Sequence, residues 1–220
     1  MLRALAVANY RSLRQLLLPL ASLTLVTGPN GSGKSSVYRA LRLLADTAHG
    51  GVVRSLAREG GLRSVLWAGP ERFSAAMLRG EEPVHGTRRS EPVNLRLGFA
   101  GDAQAFGYAI DIGLPLPSSS LFADDPEIKS ELVWNGPLLR PAATLAKREN
   151  TLLQVRGDDG GWRMLEGRLP PYLGMLAEYV DPHGAPELVA LREQVRAWRF
   201  YDHFRRDGDA PARAPQLGTR

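Results

Sequence analysis

The sequence contains no cysteine among its 220 residues. That absence excludes a disulfide framework, a thiol nucleophile, a cysteine-ligated zinc site and an iron–sulfur cluster. Long hydrophobic runs are missing as well, because no stretch reaches the about 20 apolar residues that a membrane-spanning helix needs. Near the N-terminus, Arg11 and Arg14 interrupt the chain before the core of a signal peptide could form. The sequence therefore predicts a cytoplasmic protein with no membrane contact.

Lysine is scarce, since Lys34, Lys129 and Lys147 are the only three and all other basic residues are arginines. The net charge of +5 is unevenly spread: residues 1–110 carry a net of +7 and residues 111–220 a net of −2. A basic half is compatible with a phosphate-rich partner, either a nucleotide or a nucleic acid. No continuous basic run is present, so an ordinary arginine-rich surface explains the same charge.

The composition is that of a folded globular protein, with 44% hydrophobic and 23% charged residues. Apolar patterns predict strands over residues 2–7 and 16–27, and the second ends in Leu23–Val26, a run typical of a buried central strand. A helix is predicted from Lys34 to about residue 50, with Val37, Ala40, Leu41 and Leu44 on its apolar face.

The middle of the chain has a different pattern. Apolar residues alternate over 95–99 and 106–112 around a turn at Gly101, and a second hairpin pattern surrounds residues 158–161. We therefore expect an antiparallel β section over residues 94–166. Elsewhere, the patterns indicate a short helix over 52–58, a strand over 63–68, a helix that begins at Pro186, and a loose polar tail over 207–220.

One motif carries chemistry more clearly than the rest. Residues 28–35 read Gly-Pro-Asn-Gly-Ser-Gly-Lys-Ser and match the phosphate-loop pattern G-x-x-x-x-G-K-[ST]. The glycines allow positive φ, so that backbone N–H groups can approach an anion at a helix N-terminus. In such a loop, Lys34 reaches the β- and γ-phosphates and the Ser35 hydroxyl can ligate Mg²⁺. The motif predicts ATP and Mg²⁺ as cofactors.

The spelling of this loop, with Ser36 after it, resembles the ABC-type ATPase heads of the SMC, RecF and OLD-like group, which is part of the AAA-family ATPases. Residues 9–13, Asn-Tyr-Arg-Ser-Leu, are similar to the N-F-[KR]-S stretch that packs near the base and ribose in those heads. Residues 38–44 are similar to the helix that follows their phosphate loop. The resemblance is strong over residues 1–45, and residues 134–137 and 198–205 also look like such ATPases.

The resemblance implies an α/β fold, with a P-loop NTPase core like that of an ABC-type head in residues 1–50 and the antiparallel section attached to it. Residues 1–220 would then form one head lobe. It also implies a homodimer in which two heads sandwich ATP between them. In RecF-like heads this dimer forms on DNA. The implied nucleotide-binding residues are Arg11, Ser12, Asn30, Gly31, Ser32, Gly33, Lys34, Ser35 and Ser36, and the implied metal ligands are Ser35 and Gln154.

The chain departs from this family pattern after the loop. It has no run of four apolar residues followed by Asp and Glu, no signature motif and no matching His, all of which lie further C-terminal in the family. We therefore interpret the chain as the N-terminal part of a longer protein that binds nucleotide but does not hydrolyse it alone. Ala109-Ile110-Asp111 imitates the missing strand, but its alternation is typical of an ordinary antiparallel strand.

Several further residues are weaker candidates. Phosphate contacts could come from Arg54, Arg58 or Arg63, and sensors of the γ-phosphate or metal from Gln104, Gln154 or His203, of which Gln154 fits the family better. The four histidines lack the spacing of a zinc site. A basic patch in sequence that could contact DNA or RNA consists of Arg79, His85, Arg88, Arg89 and Arg96.

Two other functions stay open from the sequence. One is a nucleic-acid-binding module in which ATP acts as a switch, for which strongly salt-dependent DNA binding is expected. The other is a small-molecule kinase with a phosphate loop. The long antiparallel section and the segment 9–12 disfavour the kinase.

Overall fold

An eight-stranded antiparallel sheet forms the frame of the computed structural model, which describes residues 1–70, 73–83, 93–116, 124–165, 167–179 and 181–202. The strands follow the order β2-β1-β3-β4-β5-β6-β7-β8 across the sheet, and each neighbouring pair is antiparallel. Their bounds are β1 Leu2–Tyr10, β2 Leu13–Pro19, β3 Leu95–Gly101, β4 Phe106–Gly113, β5 Glu127–Asn135, β6 Thr144–Glu149, β7 Leu152–Arg156 and β8 Trp162–Met164.

Two α-helices of the described chain, α1 and α6, are longer than two turns, and the others are short. The bounds of the α-helices are α1 Lys34–Thr47, α2 Val52–Arg58, α3 Leu62–Val65, α4 Ala75–Leu78, α5 Met175–Glu178 and α6 Pro186–Arg196. Helix α1 contacts β1, β3 and α6, so it lies across the strands that meet near the N-terminus of the chain. Among the described residues, no helix is both long and apolar enough to cross a membrane.

The alternation in the middle of the sequence builds the buried face of the sheet. Leu97 on β3 lies opposite Ile110 on β4, and each side chain is 2% exposed. Because successive side chains of a strand point to opposite faces, one face collects the large apolar residues and packs against the helices. The hairpin predicted around Gly101 is confirmed, and so is the second hairpin, in which Arg156 pairs with Trp162.

The predicted helices over 52–58 and from Pro186 are confirmed, and so is the helix from Lys34. Ala40 and Leu44 are buried on the face that the sequence predicts, while Val37 and Leu41 are half-buried. Helix α6 likewise buries its stripe of Leu188, Leu191 and Val195.

The predicted strand over 16–27 is wrong in its second half. Strand β2 ends at Pro19, and the run expected to be buried is open to solvent, with Leu23 89% and Leu25 84% exposed. An apolar run becomes a central strand only where strands lie on both sides of it. The described part of the chain places no strand beside residues 23–26.

The predicted strand over 63–68 is also wrong. Helix α3 occupies Leu62–Val65, and Leu66 makes only an isolated bridge to Tyr10. The Ser64 hydroxyl donates to the carbonyls of Glu59 and Gly61, a local bond that favours the turn over an extended chain.

The antiparallel section is not separate from the N-terminal segment. Strand β1 pairs with β3, so β1 and β2 extend the same sheet that residues 94–166 build. The tail predicted over 207–220 lies outside the described residues.

A buried ion pair ties three strands to the segment before α5. Glu131 on β5 and Arg148 on β6 are both fully buried, 2.9 Å apart. Arg148 also donates to the carbonyls of Asn150, Pro170 and Leu173, and Glu131 accepts from the Tyr108 hydroxyl and the Met175 N–H. Burial raises the pKa of Glu131, and Arg148, Tyr108 and the Met175 N–H oppose that rise.

Candidate functional site

The phosphate loop lies immediately before α1 and is exposed throughout residues 28–32. Gly31 and Gly33 have φ of +81° and +96°, values that residues with a Cβ rarely adopt. A Cβ on Gly33 would stand 3.0 Å from Leu13 Cδ2 and 3.2 Å from Ser12 Oγ. Glycine at position 33 therefore lets the loop pass close to the turn between β1 and β2.

The N-terminus of α1 is free to receive an anion. Its cap is Gly33, which supplies no side-chain hydrogen bond, and no acidic residue occupies the first turn. Backbone N–H groups at such an end carry partial positive charge and lack partners within the helix. Glycine loop and helix end together have the chemistry of a phosphate-binding site.

Lys34 lies within this loop. Its ammonium group donates to the carbonyl oxygens of Gly28 and Pro29, at 2.6 Å and 2.7 Å. An ammonium has three hydrogens, so these two bonds leave one for a ligand. The lysine thus holds the loop closed on itself and keeps a positive charge at the start of α1.

The turn between β1 and β2 brings two further predicted residues to the loop. Ser12 Oγ lies 3.2 Å from Ser36 Oγ, a hydrogen bond between the turn and α1. One cavity of about 350 Å³ is lined by all nine residues predicted to bind nucleotide: Arg11, Ser12, Asn30, Gly31, Ser32, Gly33, Lys34, Ser35 and Ser36. The structure therefore brings together residues that are separated by 18 positions in the sequence between Ser12 and Asn30.

The backbone of this turn is strained. Asn9 and Arg11 have φ of +61° and +51°, an uncommon conformation for residues other than glycine. Hydrogen bonds to the segment after α2 hold it: the Arg11 N–H donates to the Val65 carbonyl at 2.6 Å, and the Trp67 N–H donates to the Asn9 carbonyl at 3.0 Å. Strained backbone held in this way is often found at ligand sites.

Glu59, which follows α2, is a residue that the sequence analysis did not identify. It accepts hydrogen bonds from Arg11 Nη2 at 2.6 Å and from the Tyr10 hydroxyl at 3.0 Å, and it lies 3.7 Å from Arg39 Nη1. Burial raises the pKa of Tyr10 to about 12; Arg11 lowers it and the Glu59 carboxylate adds to the rise. No local pattern could have shown this cluster, because Glu59 and Arg11 are 48 positions apart.

A second cleft, of about 660 Å³, opens from Lys34 and Ser35 along the outer side of α1. Of the three arginine candidates, Arg58 lines this cleft, and Arg63 pairs with Asp124 at 2.8 Å. At its far rim, Asp202 accepts hydrogen bonds from Tyr38 and Arg42 of α1. The hydrogen bond to Asp202 and burial raise the pKa of Tyr38.

The structure does not bring the predicted glutamines to the loop. Gln154 lies on β7, five strands from β1, which is about 24 Å at ~4.8 Å per strand. Gln154 is not among the residues that line the cavity of the loop, so the structure does not place this predicted metal ligand beside Ser35. Gln104 follows β3 beside the first residue of β1, about 26 Å along that strand from Tyr10 at ~3.3 Å per residue. His203 lies outside the described residues.

The remaining candidates are accounted for by ordinary contacts. Asp111 lies within antiparallel β4 and accepts a hydrogen bond from Arg96 at 2.9 Å, so the interpretation of 109–111 as an ordinary strand is confirmed. Arg79 is bound to Glu81 and Arg96 to Asp111, and the other three members of the basic patch, His85, Arg88 and Arg89, lie outside the described residues. The described residues contain no group of three His, Cys, Asp or Glu that could hold a metal ion.

Two comparisons with known proteins bear on this geometry. The chain is 48% identical over 44 residues to the OLD nuclease of Thermus scotoductus (strain ATCC 700910 / SA-01). That match covers 20% of this chain and 8% of the nuclease, so the chain spans only a small part of its relative's length. The family described as "AAA domain, putative AbiEii toxin, Type IV TA system" matches residues 23–163. Since this match covers well over half of the chain, the protein belongs to that family of AAA domains.

Proposed function

We propose that this chain binds ATP with Mg²⁺ in the cavity at the N-terminus of α1. The observation that carries the proposal is the convergence of Arg11 and Ser12 with the whole loop 30–36 on that one cavity. The described residues that line it supply backbone N–H groups, one lysine and one arginine, and none of them is a carboxylate. A triphosphate is the ligand that such a set of donors fits.

Each residue has a distinct part in the proposed complex. The backbone of residues 30–34 would cradle the phosphates, and Lys34 would exchange a loop carbonyl for a phosphate oxygen. The Ser35 hydroxyl, which is exposed at the first turn of α1, would hold Mg²⁺. Bound Mg²⁺ would neutralise charge on the phosphate oxygens. Arg11 would add a second cation from the turn between β1 and β2.

Binding is proposed for this chain, and hydrolysis only where further sequence supplies the motifs that residues 1–220 lack. Hydrolysis in heads of the ABC and SMC type needs carboxylates that position water and metal, and residues 1–220 contain no matching motif. We propose that ATP joins two copies of this chain, each covering the other's loop. Light scattering with and without Mg-ATP tests this step: the mass should double with ATP, and an unchanged mass contradicts dimerisation.

The decisive experiment is titration calorimetry with Mg-ATP. Lys34→Ala should weaken binding by about 10- to 100-fold, which corresponds to the ~1.5–3 kcal/mol of a hydrogen bond to a charged group. Lys147→Ala is the matched control, because Lys147 lies on β6, four strands from β1, against the Trp162 ring. Equal affinity in both variants would contradict the assignment of the loop.

A second candidate function is nucleic-acid binding controlled by ATP. It is favoured by the match to a protein named as a nuclease and by the net charge of +7 over residues 1–110. Binding to a DNA duplex should then fall steeply between 50 and 200 mM salt, with a logarithmic slope of about −0.9 for each phosphate contacted. A flat response or no binding removes this candidate.

A further inference from the structure

Glu59 lies at the edge of an anion site, where a carboxylate would ordinarily oppose binding. It lines the cleft that begins at Lys34 and Ser35, and its side chain is 17% exposed. Like charges repel each other even through a polar medium, so Glu59 would oppose the binding of a triphosphate at the loop. If Glu59 supports ligand binding, another of its effects must therefore outweigh this repulsion.

The contacts of Glu59 supply such an effect. Its Oε2 accepts from both Nε and Nη2 of Arg11, at 3.1 Å and 2.6 Å. These two bonds use one edge of the guanidinium and leave the hydrogens on Nη1 outside them, out of five N–H donors in all. The Tyr10 hydroxyl donates to the same carboxylate and fixes its orientation.

The backbone around Arg11 makes this support necessary. Arg11 has φ of +51° and stays in that conformation because its N–H is bound to the Val65 carbonyl. A long side chain on an exposed turn would otherwise sample many rotamers, and ordering it on ligand binding would cost free energy. A fixed partner removes that cost before the ligand arrives.

Building on the proposed function, we infer that Glu59 is a positioning residue for the phosphate site: it holds the Arg11 guanidinium with one edge toward the cavity. Glu59 does not touch the nucleotide. Its favourable effect runs through Arg11, and its direct effect on the phosphates is repulsive. The two effects have opposite signs, so they can be separated.

The test is a double-mutant cycle on the full chain, with Mg-ATP affinity measured by titration calorimetry. With Arg11 present, Glu59→Ala should weaken ATP binding by about tenfold, the effect of losing one oriented charge-assisted hydrogen bond. With Arg11→Ala, the same change should leave binding equal or make it tighter, because only the repulsion is removed. Such a sign reversal is a coupling that a merely structural residue would not give.

Three controls complete the design. Glu59→Gln keeps the shape of the side chain and one hydrogen-bond acceptor but removes the charge, so it should weaken ATP binding less than Glu59→Ala does. It keeps the proposal testable if Glu59→Ala does not fold. Glu81→Ala removes the carboxylate of another arginine pair, that with Arg79, and should leave ATP binding unchanged. Thermal unfolding of each variant without nucleotide separates loss of fold from loss of orientation.

The outcomes distinguish the two proposals. If the wild-type chain binds Mg-ATP and Glu59→Ala binds it equally or more tightly, the positioning role is wrong while the ATP site stands. Equal weakening by Glu59→Ala with and without Arg11 also overturns the inference, because the effect would not run through Arg11. If the wild-type chain shows no binding, both proposals fall.

Discussion

The face of the sheet that packs on the helices and the segment that leads into α1 differ in how their apolar side chains are covered. On the sheet, Leu5, Val7 and Leu97 are at most 2% exposed. In the segment, Leu23 and Leu25 are more than 80% exposed although they are as apolar. The fold therefore rests on the sheet, and the segment that leads to the proposed binding loop does not contribute to the core.

Polar groups repeat this contrast. In the sheet, Glu131 and Arg148 are fully buried and each has several hydrogen-bond partners. In the loop, the bonds of Lys34 within the described part of the chain go to the carbonyls of Gly28 and Pro29. Buried polar groups of the first kind fix a structure, whereas exposed donors of the second kind can change partners when a ligand arrives.

The largest expected effect comes from breaking the buried ion pair. Arg148→Leu should lower the free energy of unfolding by about 3–5 kcal/mol, because it leaves the Glu131 carboxylate buried without its countercharge. Urea denaturation followed by tryptophan fluorescence measures this loss.

Arg96→Leu is the matched control for Arg148→Leu. Arg96 also pairs with a carboxylate of the sheet, Asp111, but its side chain is 67% exposed. Exposed pairs contribute at most about 1 kcal/mol, so the control should stay close to the wild type. Losses of equal size in the two variants would show that burial does not set the strength of these pairs. If Arg148→Leu does not fold, Arg148→Lys, which keeps the charge, should give a smaller, measurable loss.

A smaller effect is expected from single leucines of the two regions. Leu97→Ala should cost about 2–5 kcal/mol, because Leu97 is buried between β1 and β4. Leu25→Ala should change stability by no more than about 0.5 kcal/mol, since its side chain is 84% exposed. The same urea measurement serves both variants, and a large loss in Leu25→Ala would mean that the segment is packed in solution.

The two regions also differ in how far the sequence predicts them. The hairpins around Gly101 and residues 158–161 are local features, so alternation and turn residues are enough to place them. Helix α1 begins at the predicted Lys34 for the same reason. Burial of Leu23–Val26 depends instead on neighbouring strands, which no property of the run itself reports.

Non-local pairing explains what the sequence left out of the site. The resemblance predicts Gln154 from its place after the loop in the chain, but its position relative to Ser35 depends on the order of eight strands. Glu59 is a charged residue after a short helix, a position that is usually solvated. Its contacts with Tyr10 and Arg11 depend on the hydrogen bonds that join the segment after α2 to the end of β1.

The smallest expected effect lies within the loop and tests how it is joined to the sheet. Gly33→Ala and Gly31→Ala both place a Cβ on a left-handed residue, which costs roughly 1–2 kcal/mol wherever the backbone cannot adjust. They differ in surroundings, since the Gly33 Cβ would meet Leu13 and Ser12 while that of Gly31 would meet no atom within 4 Å. Gly33→Ala should push the turn that carries Arg11 away from the loop. It should therefore bind Mg-ATP about tenfold more weakly than Gly31→Ala does, a difference of ~1.4 kcal/mol.

The free energy of unfolding in urea should be similar for the two variants, because neither position belongs to the core. Equal ATP affinities of the two variants in calorimetry would mean that the loop binds phosphate independently of the turn. Phosphate binding would then not depend on how the loop contacts the sheet.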